Sequence, residues 1–243
     1  MNLSNNVGSG FQAAVLPKFT VLWLLRQQWG GRLVLSCGLN AEGAALALAT
    51  NIAGAVCLSI EPDAELLKGA LRSGACDFAV NTLDEALRTM KNEVRKGLPL
   101  SVGLHGTTTG VLAEVLERGL LPVIAADLGT QTGIRESLSR LQAMGTQIVD
   151  FDGRKPIQGT VDAAMLLETE VGRRGWKLRC LPTGGRSELA VLDGALVKLV
   201  DPEDTLRLRW LQKAPLYFGR ERPLCRAMWL SLAEEAGLPV TPG

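Results

Sequence analysis

The stretch that most constrains the fold runs from Arg32 to Glu61. A short apolar run, Leu33-Val34-Leu35-Ser36-Cys37, leads to a turn at Gly38, and a helix of small residues follows from Ala41 to about Ile52. Gly54 breaks that helix, and a second apolar run, Ala55 to Ile60, stops on Glu61. Strand, glycine turn, helix, strand and acidic residue, in that order, is the pattern of a dinucleotide-binding βαβ unit. The chemistry lies at the turn, because free N–H groups at a helix N-terminus attract a pyrophosphate and small residues let the backbone come close. A carboxylate about twenty residues on is placed to grip ribose hydroxyls. The expected cofactor contacts here are Gly38, Asn40, Gly43 and Glu61. The glycine pattern is incomplete, since Asn40 stands where G-x-G-x-x-G has its second glycine. Asn tolerates left-handed backbone, but its side chain crowds the pyrophosphate's approach. A parallel sheet whose small residues serve only helix–sheet packing fits the same residues.

The alternation continues beyond Glu61. Pro62-Asp63 starts a helix carrying Leu66, Leu67, Ala70 and Leu71, and Asn81-Thr82 caps another that ends at Gly97. Leu98 to Leu104 reads as a strand, followed by His105-Gly106-Thr107-Thr108 and a helix from Val111 to Arg118. Pro122 to Ala126 is the next strand, ending on Asp127, with the loop Leu128-Gly129-Thr130-Gln131-Thr132-Gly133 after it. Helix Ile134 to Met144 and strand Thr146 to Phe151 complete the series. Such alternation indicates a Rossmann-like, doubly wound parallel sheet in the α/β class. Thr107, Thr108, Gly129 and Thr130 join the candidate contacts, because ligands of open α/β sheets bind outside the carboxyl ends of the strands. Gly/Thr-rich loops are also ordinary turns.

Residues 1–30 read as a helical lead-in, with a polar start that frays and a helix from Leu16 to Trp29. Residues 31–152 form the nucleotide-binding domain, and residues 153–243 a small C-terminal α+β appendage. In that appendage Thr160 to Arg174 is a helix and Trp176 to Leu181 a strand. Leu189 to Val200 is expected as a hairpin around Asp193-Gly194, Asp201-Pro202 opens a helix through Trp210, and Cys225 to Ala236 is a last helix ended by Gly237 and Pro239.

Basic and acidic residues number 26 and 25, so no global field draws the chain to nucleic acid or membrane. Five scattered cysteines without a C-x-x-C pair fit reduced cytoplasm, and a single histidine, His105, argues against a histidine metal site. Gly43 to Ile60 is apolar but interrupted by Thr50-Asn51 and Gly54, so it divides into helix and strand and is not a membrane span. No signal peptide is expected from the polar start.

Several separate stretches resemble the urocanase (urocanate hydratase) family, specifically its central NAD-binding domain. Gly31 to Leu39 is similar to that family's G-R-L-V-L-T-A-G-L, and Ala53 to Leu58 matches A-G-A-V-C-L, with Glu61 in register. Leu83-Asp84-Glu85-Ala86-Leu87, Leu100 to Leu104 and Asp201-Pro202-Glu203-Asp204 match L-D-E-A-L, L-S-V-G-L and D-P-E-D in the same order.

The resemblance implies NAD⁺ acting as an electrophile in histidine catabolism: the substrate imidazole bonds transiently to the nicotinamide and water adds, a lyase reaction without net hydride transfer. It also implies departures. The family's G-G-M-G-G loop becomes Asn40-Ala41-Glu42-Gly43-Ala44, and its Q-T-S-A-H segment falls on Leu128 to Thr132. The catalytic Cys of its I-C-W-L-G falls on Met228, and the flanking segments that build the substrate pocket find no counterpart. Glu42 repels a pyrophosphate unless a cation neutralises it. Three readings stay open: a diverged or partial urocanase relative that keeps NAD, alone or completed by a companion chain or a homo-oligomer; a non-catalytic assembly or regulatory module, a pseudoenzyme; and a methyltransferase-like nucleotide enzyme. A short-chain dehydrogenase is set aside, because the lone Tyr217 is followed four residues on by Glu221, not Lys.

Overall fold

The computed structural model describes residues 10–154, 157–218 and 224–238. The fraying start, on residues 1–9, and the stop signal Pro239 lie outside them. The chain begins with α1 (Gln12–Leu25), then β1 (Leu33–Cys37), α2 (Ala41–Ala53), β2 (Val56–Glu61) and α3 (Ala64–Ser73). Next come β3 (Phe78–Val80), α4 (Leu83–Lys96), β4 (Leu100–His105), α5 (Thr108–Glu117) and β5 (Ile124–Asp127). The sheet is completed through α6 (Arg135–Ala143), β6 (Gln147–Asp150) and β7 (Val161–Asp162).

These strands form a seven-stranded sheet in the order β3-β4-β2-β1-β5-β6-β7, every pair parallel. All residues of β1 and β2 are buried, as strands covered on both faces must be, which is why they read as unbroken apolar runs. One core lies on the side of α1, α2 and α3, and the other under α4, α5 and α6. Helix α2 is buried along its whole length from Gly43 to Ala53, packed between α1 and the sheet. Its small side chains let the backbones approach, and a helix apolar all round belongs inside. α4 is fixed by the signals visible in sequence: Thr82 and Glu85 form a capping box, and Gly97 ends it in left-handed conformation.

Beyond the sheet lie α7 (Ala163–Arg174), β8 (Lys177–Pro182), α8 (Arg186–Leu199), α9 (Thr205–Tyr217), β9 (Cys225–Leu230) and α10 (Leu232–Ala236). β8 and β9 pair antiparallel as a separate two-stranded ribbon. α9 and β9 pack on α1, with Phe19 and Trp210 rings 5.6 Å apart.

Two expectations in this region are corrected. The hairpin expected at Leu189 to Val200 is the helix α8. Its Leu192 and Leu196 are both buried one turn apart, and this helical period outweighs the Asp-Gly turn pair. Asp193 instead accepts two hydrogen bonds from the buried Arg226 guanidinium, at 2.7 and 2.9 Å. The single helix expected over Cys225 to Ala236 is strand β9 followed by the short α10. All six β9 residues are buried, so no amphipathic face exists, and Ser231 with Glu234 forms the capping box that starts α10. Smaller shifts occur elsewhere: the first helix lies four residues earlier than expected, and β3, whose apolar run is only three residues long and largely exposed, was not expected as a strand.

Candidate functional site

The strand order reverses at β1. The chain moves from β1 to β2 on one side, then returns to place β5 on the other. The carboxyl ends of β1 and β5 therefore flank the switch point, where open α/β folds bind nucleotides.

Gly38 leaves β1 with φ +117°, and a Cβ there would lie 2.5 Å from the Gly129 nitrogen. Only glycine allows both that conformation and that contact. A Cβ on Gly43 would overlap the Gly38 carbonyl oxygen. The two loops are in contact: the Leu128 N–H donates to the Cys37 carbonyl at 2.8 Å, and Asn40 Nδ2 donates to the Leu128 carbonyl at 2.7 Å. At the same time Asn40 Oδ1 accepts from the Glu42 and Gly43 N–H groups at 3.0 and 3.1 Å. Asn40 is thus the N-cap of α2 and holds the amides that a pyrophosphate would seek.

Glu61 closes β2 and is buried. Its Oε2 accepts from the Leu39 N–H at 2.7 Å and its Oε1 from the Asp63 N–H at 3.0 Å. The carboxylate therefore clamps the glycine turn, and each oxygen keeps a second lone pair. Asp63 caps α3 through the Glu65 and Leu66 amides. Glu42 is neutralised by Lys18 of α1, whose Nζ lies 2.5 Å from Glu42 Oε2 and is itself largely buried.

On the neighbouring strands, His105 ends β4 opposite Glu61, exposed, with Nε2 3.0 Å from the Pro62 carbonyl. Thr107 is the N-cap residue of α5 but makes no side-chain cap hydrogen bond. Thr108 is buried, and its N–H donates to Gln131 Oε1 at 2.6 Å. Arg154 spans β5 and β6, donating to the carbonyls of Gly129 and Asp127 at 2.7 and 2.6 Å. Thr130 is exposed on the rim.

Asp127 Oδ1 is buried without a hydrogen-bond partner. Burial pushes the Asp127 carboxyl above its ordinary range, while Arg154 and the Gly129 N–H pull it back and Asp152 and Asp150 add to the rise. Its neighbour across the ladder, Cys37, is fully buried, and burial followed by the Asp127 charge drives that thiol far up. Cys37 cannot ionise to a nucleophile there.

The structure gathers Gly38, Asn40, Gly43, Glu61 and Gly129 at the carboxyl ends of β1, β2 and β5, joined by the contacts above, with Thr107 and Thr108 on the neighbouring β4–α5 turn. Met228 lies elsewhere: it is a fully buried residue of β9 in the core shared with α1 and α9. Lys18, Gln131 and Arg154 were not singled out from the sequence. Lys18 left a signal, a lone cation in the apolar run of α1; Gln131 and Arg154 act across loops, and nothing local marks them.

A parallel sheet with helices on both faces and a glycine turn at its switch point defines a Rossmann-like domain. Residues 19–139 match the family model of the urocanase Rossmann-like domain. Through this domain the chain belongs to the urocanase family. Among solved structures, it is similar to an O-methyltransferase from Streptomyces achromogenes, involved in tomaymycin synthesis and in complex with SAM, at 14% identity over 76% of this chain and 87% of that one, with a TM-score of 0.36. It is also similar to a short chain alcohol dehydrogenase from E. coli complexed with NADH, at 15% identity over 94% of this chain and 61% of that one, with a TM-score of 0.37. No helix among the described residues is long and apolar enough to cross a membrane. Among the same residues no cluster of His, Cys, Asp and Glu side chains suits a metal ion.

Proposed function

We propose that the chain is a nucleotide-binding urocanase relative that takes NAD⁺ at the β1–β5 crevice and does not hydrate urocanate by itself. The observation that carries this reading is the buried Glu61 carboxylate, which orders the Gly38 turn through the Leu39 N–H. In this role Glu61 offers its remaining lone pairs to the adenosine ribose, and Gly38, Gly43 and Gly129 keep the approach narrow. Thr107, Thr108 and Thr130 supply hydrogen bonds on the far rim. Asn40 must swing off the α2 amides before a pyrophosphate can replace it. NAD⁺ brings an electrophilic nicotinamide; this chain's residues bind and orient it. Met228, a buried thioether, carries no proton to exchange with substrate.

A second reading is a non-catalytic module whose fold serves assembly with a companion chain or another copy. The self-capping by Asn40 favours it, since the closed turn is complete without a ligand. Mass analysis of the ligand released from purified protein, followed by calorimetric titration with NAD⁺, separates the two. Bound or titratable NAD⁺ supports the first; no heat and no released nucleotide support the second; S-adenosylmethionine would turn the assignment toward a methyltransferase.

A further inference from the structure

A second depression opens at the opposite end of the strands. It lies where Trp29-Gly30 precede β1, Ala53-Gly54 precede β2 and Gly97-Leu98-Pro99 precede β4, and it measures about 500 Å³. Small-molecule sites run from roughly 300 to 1,000 Å³. None of its lining residues belongs to the switch-point crevice.

Its chemistry is one-sided. Arg209, Lys213 and Tyr217 recur every four residues on α9 and so share a face toward the cleft. Not one of the lining residues is a carboxylate. Arg209 donates to the Ile52 and Ala53 carbonyls at 2.8 and 3.2 Å, at the C-terminus of α2, where the helix dipole holds a cation. This fixes the guanidinium in place without a counter-anion, and burial pulls its pKa down. Gly54 makes the room, since a Cβ there would lie 2.8 Å from Arg209 Nη2. Lys213 forms no ion pair among the described residues.

Two buried residues of the same lining each keep an unpartnered polar atom, Trp29 Nε1 at 1% and Asn51 Oδ1 at 4% residue exposure. One is a donor and the other an acceptor, and buried groups of this kind are costly to leave unpaired. A ligand hydroxyl can accept from the first and donate to the second. The rest of the wall is aromatic or apolar: Trp23, Tyr217, Leu98, Pro99 and Leu216.

We propose that this cleft binds a small aromatic carboxylate carrying a hydroxyl group. The carboxylate is held by Lys213 and Arg209, the polar substituent by Trp29 and Asn51, and the ring by the apolar wall. The site is independent of the nucleotide reading.

The test is titration of the full chain with 4-hydroxybenzoate, followed by the indole N–H resonances in ¹H–¹⁵N NMR. The Trp29 resonance, identified with Trp29→Phe, is expected to shift saturably. 4-Hydroxybenzamide, which lacks the charge, and the Lys213→Met variant with the acid should each bind about tenfold more weakly. Benzoate, lacking the hydroxyl, should bind several-fold more weakly. The proposal is overturned if the amide binds as well as the acid, or if Lys213→Met is silent. Equal shifts from inorganic phosphate, equal affinity for benzoate, or no shift at about 10 mM, ten times a weak millimolar Kd, would overturn it too.

Discussion

Asn40 joins two loops that a nucleotide has to part: its Nδ2 holds the Leu128 carbonyl at 2.7 Å while its Oδ1 caps α2. Replacing Asn40 with Gly frees the Glu42 and Gly43 amides and releases the β5 loop. Gly is nearly as good an N-cap, so the loss of stability should be about 1 kcal/mol, mostly the lost tie to Leu128. NAD⁺ should then bind about fivefold more tightly, because it no longer displaces a hydrogen-bonded side chain worth about 1 kcal/mol. Calorimetry gives both numbers. Weaker binding with the fold intact would make Asn40 a ligand contact and not a plug.

Glu61→Gln keeps the shape but places an NH₂ group or a neutral oxygen against two N–H donors, Leu39 and Asp63. A charged hydrogen bond is worth about 1.5–3 kcal/mol. NAD⁺ affinity should fall about tenfold or more by that measure, and the melting temperature should fall with it. Unchanged affinity in titration would remove Glu61 from the binding role.

Gly43 and Gly69 make a matched stability pair. A Cβ on Gly43 overlaps the Gly38 carbonyl, whereas a Cβ on Gly69 in α3 meets nothing within 4 Å. Gly43→Ala should destabilise by about 2–3 kcal/mol or more, as overpacking does. Gly69→Ala should stabilise by about 0.5–1 kcal/mol, the ordinary helix gain. Urea melts of both variants check the contrast, and equal effects would mean the turn is looser than its backbone contacts imply.

Asp127 supplies the pH dependence. Its folded-state pKa is raised by burial, so between the unfolded and folded values the native state binds the extra proton. Stability from this group is therefore present below the ordinary carboxylate range and lost as pH rises through the raised value. At neutral pH Asp127→Asn should melt higher than the parent, and the difference should vanish in acid. A variant less stable at neutral pH would show that Arg154 outweighs the burial.

The sheet was legible because strands buried on both faces must be apolar, and because glycine turns and caps punctuate them. Leu33 to Cys37, Val56 to Glu61 and the Thr82–Glu85 box each announced their structure locally. The appendage was harder. Asp193-Gly194 carries a turn signature, yet its neighbours Leu192 and Leu196 are held on a helix by packing, and Asp193 serves Arg226 from a distant strand. Cys225 to Leu230 has no period because both its faces are covered. At the site, the crowding expected from Asn40 was visible in one residue. The Lys18 partner of Glu42 and the Arg154 bridge depend on elements far apart in sequence.

The last expectation concerns chemistry. The chain, given NAD⁺ and urocanate, should not consume urocanate at an enzymatic rate. Met228, the residue that the sequence resemblance sets against the family's cysteine, reaches neither solvent nor crevice; it is buried in β9 within the α1–α9 core. Its thioether has no proton to give. Cys225, also buried, borders the same core, and its carbonyl accepts from Gln12 at 2.9 Å. At the crevice the remaining thiol, Cys37, is kept protonated by burial. Met228→Cys therefore adds a thiol to the core and not to the nucleotide face, so it should leave the rate at background. Positioning of reactants alone supplies about 7–11 kcal/mol in enzymes, and a buried thiol on another element cannot contribute to it. The assay follows the loss of urocanate's ultraviolet absorbance in parent and variant. Turnover of about 1 s⁻¹ or more in the parent would place a working acid or nucleophile at the crevice, with Asp127 the first residue to replace.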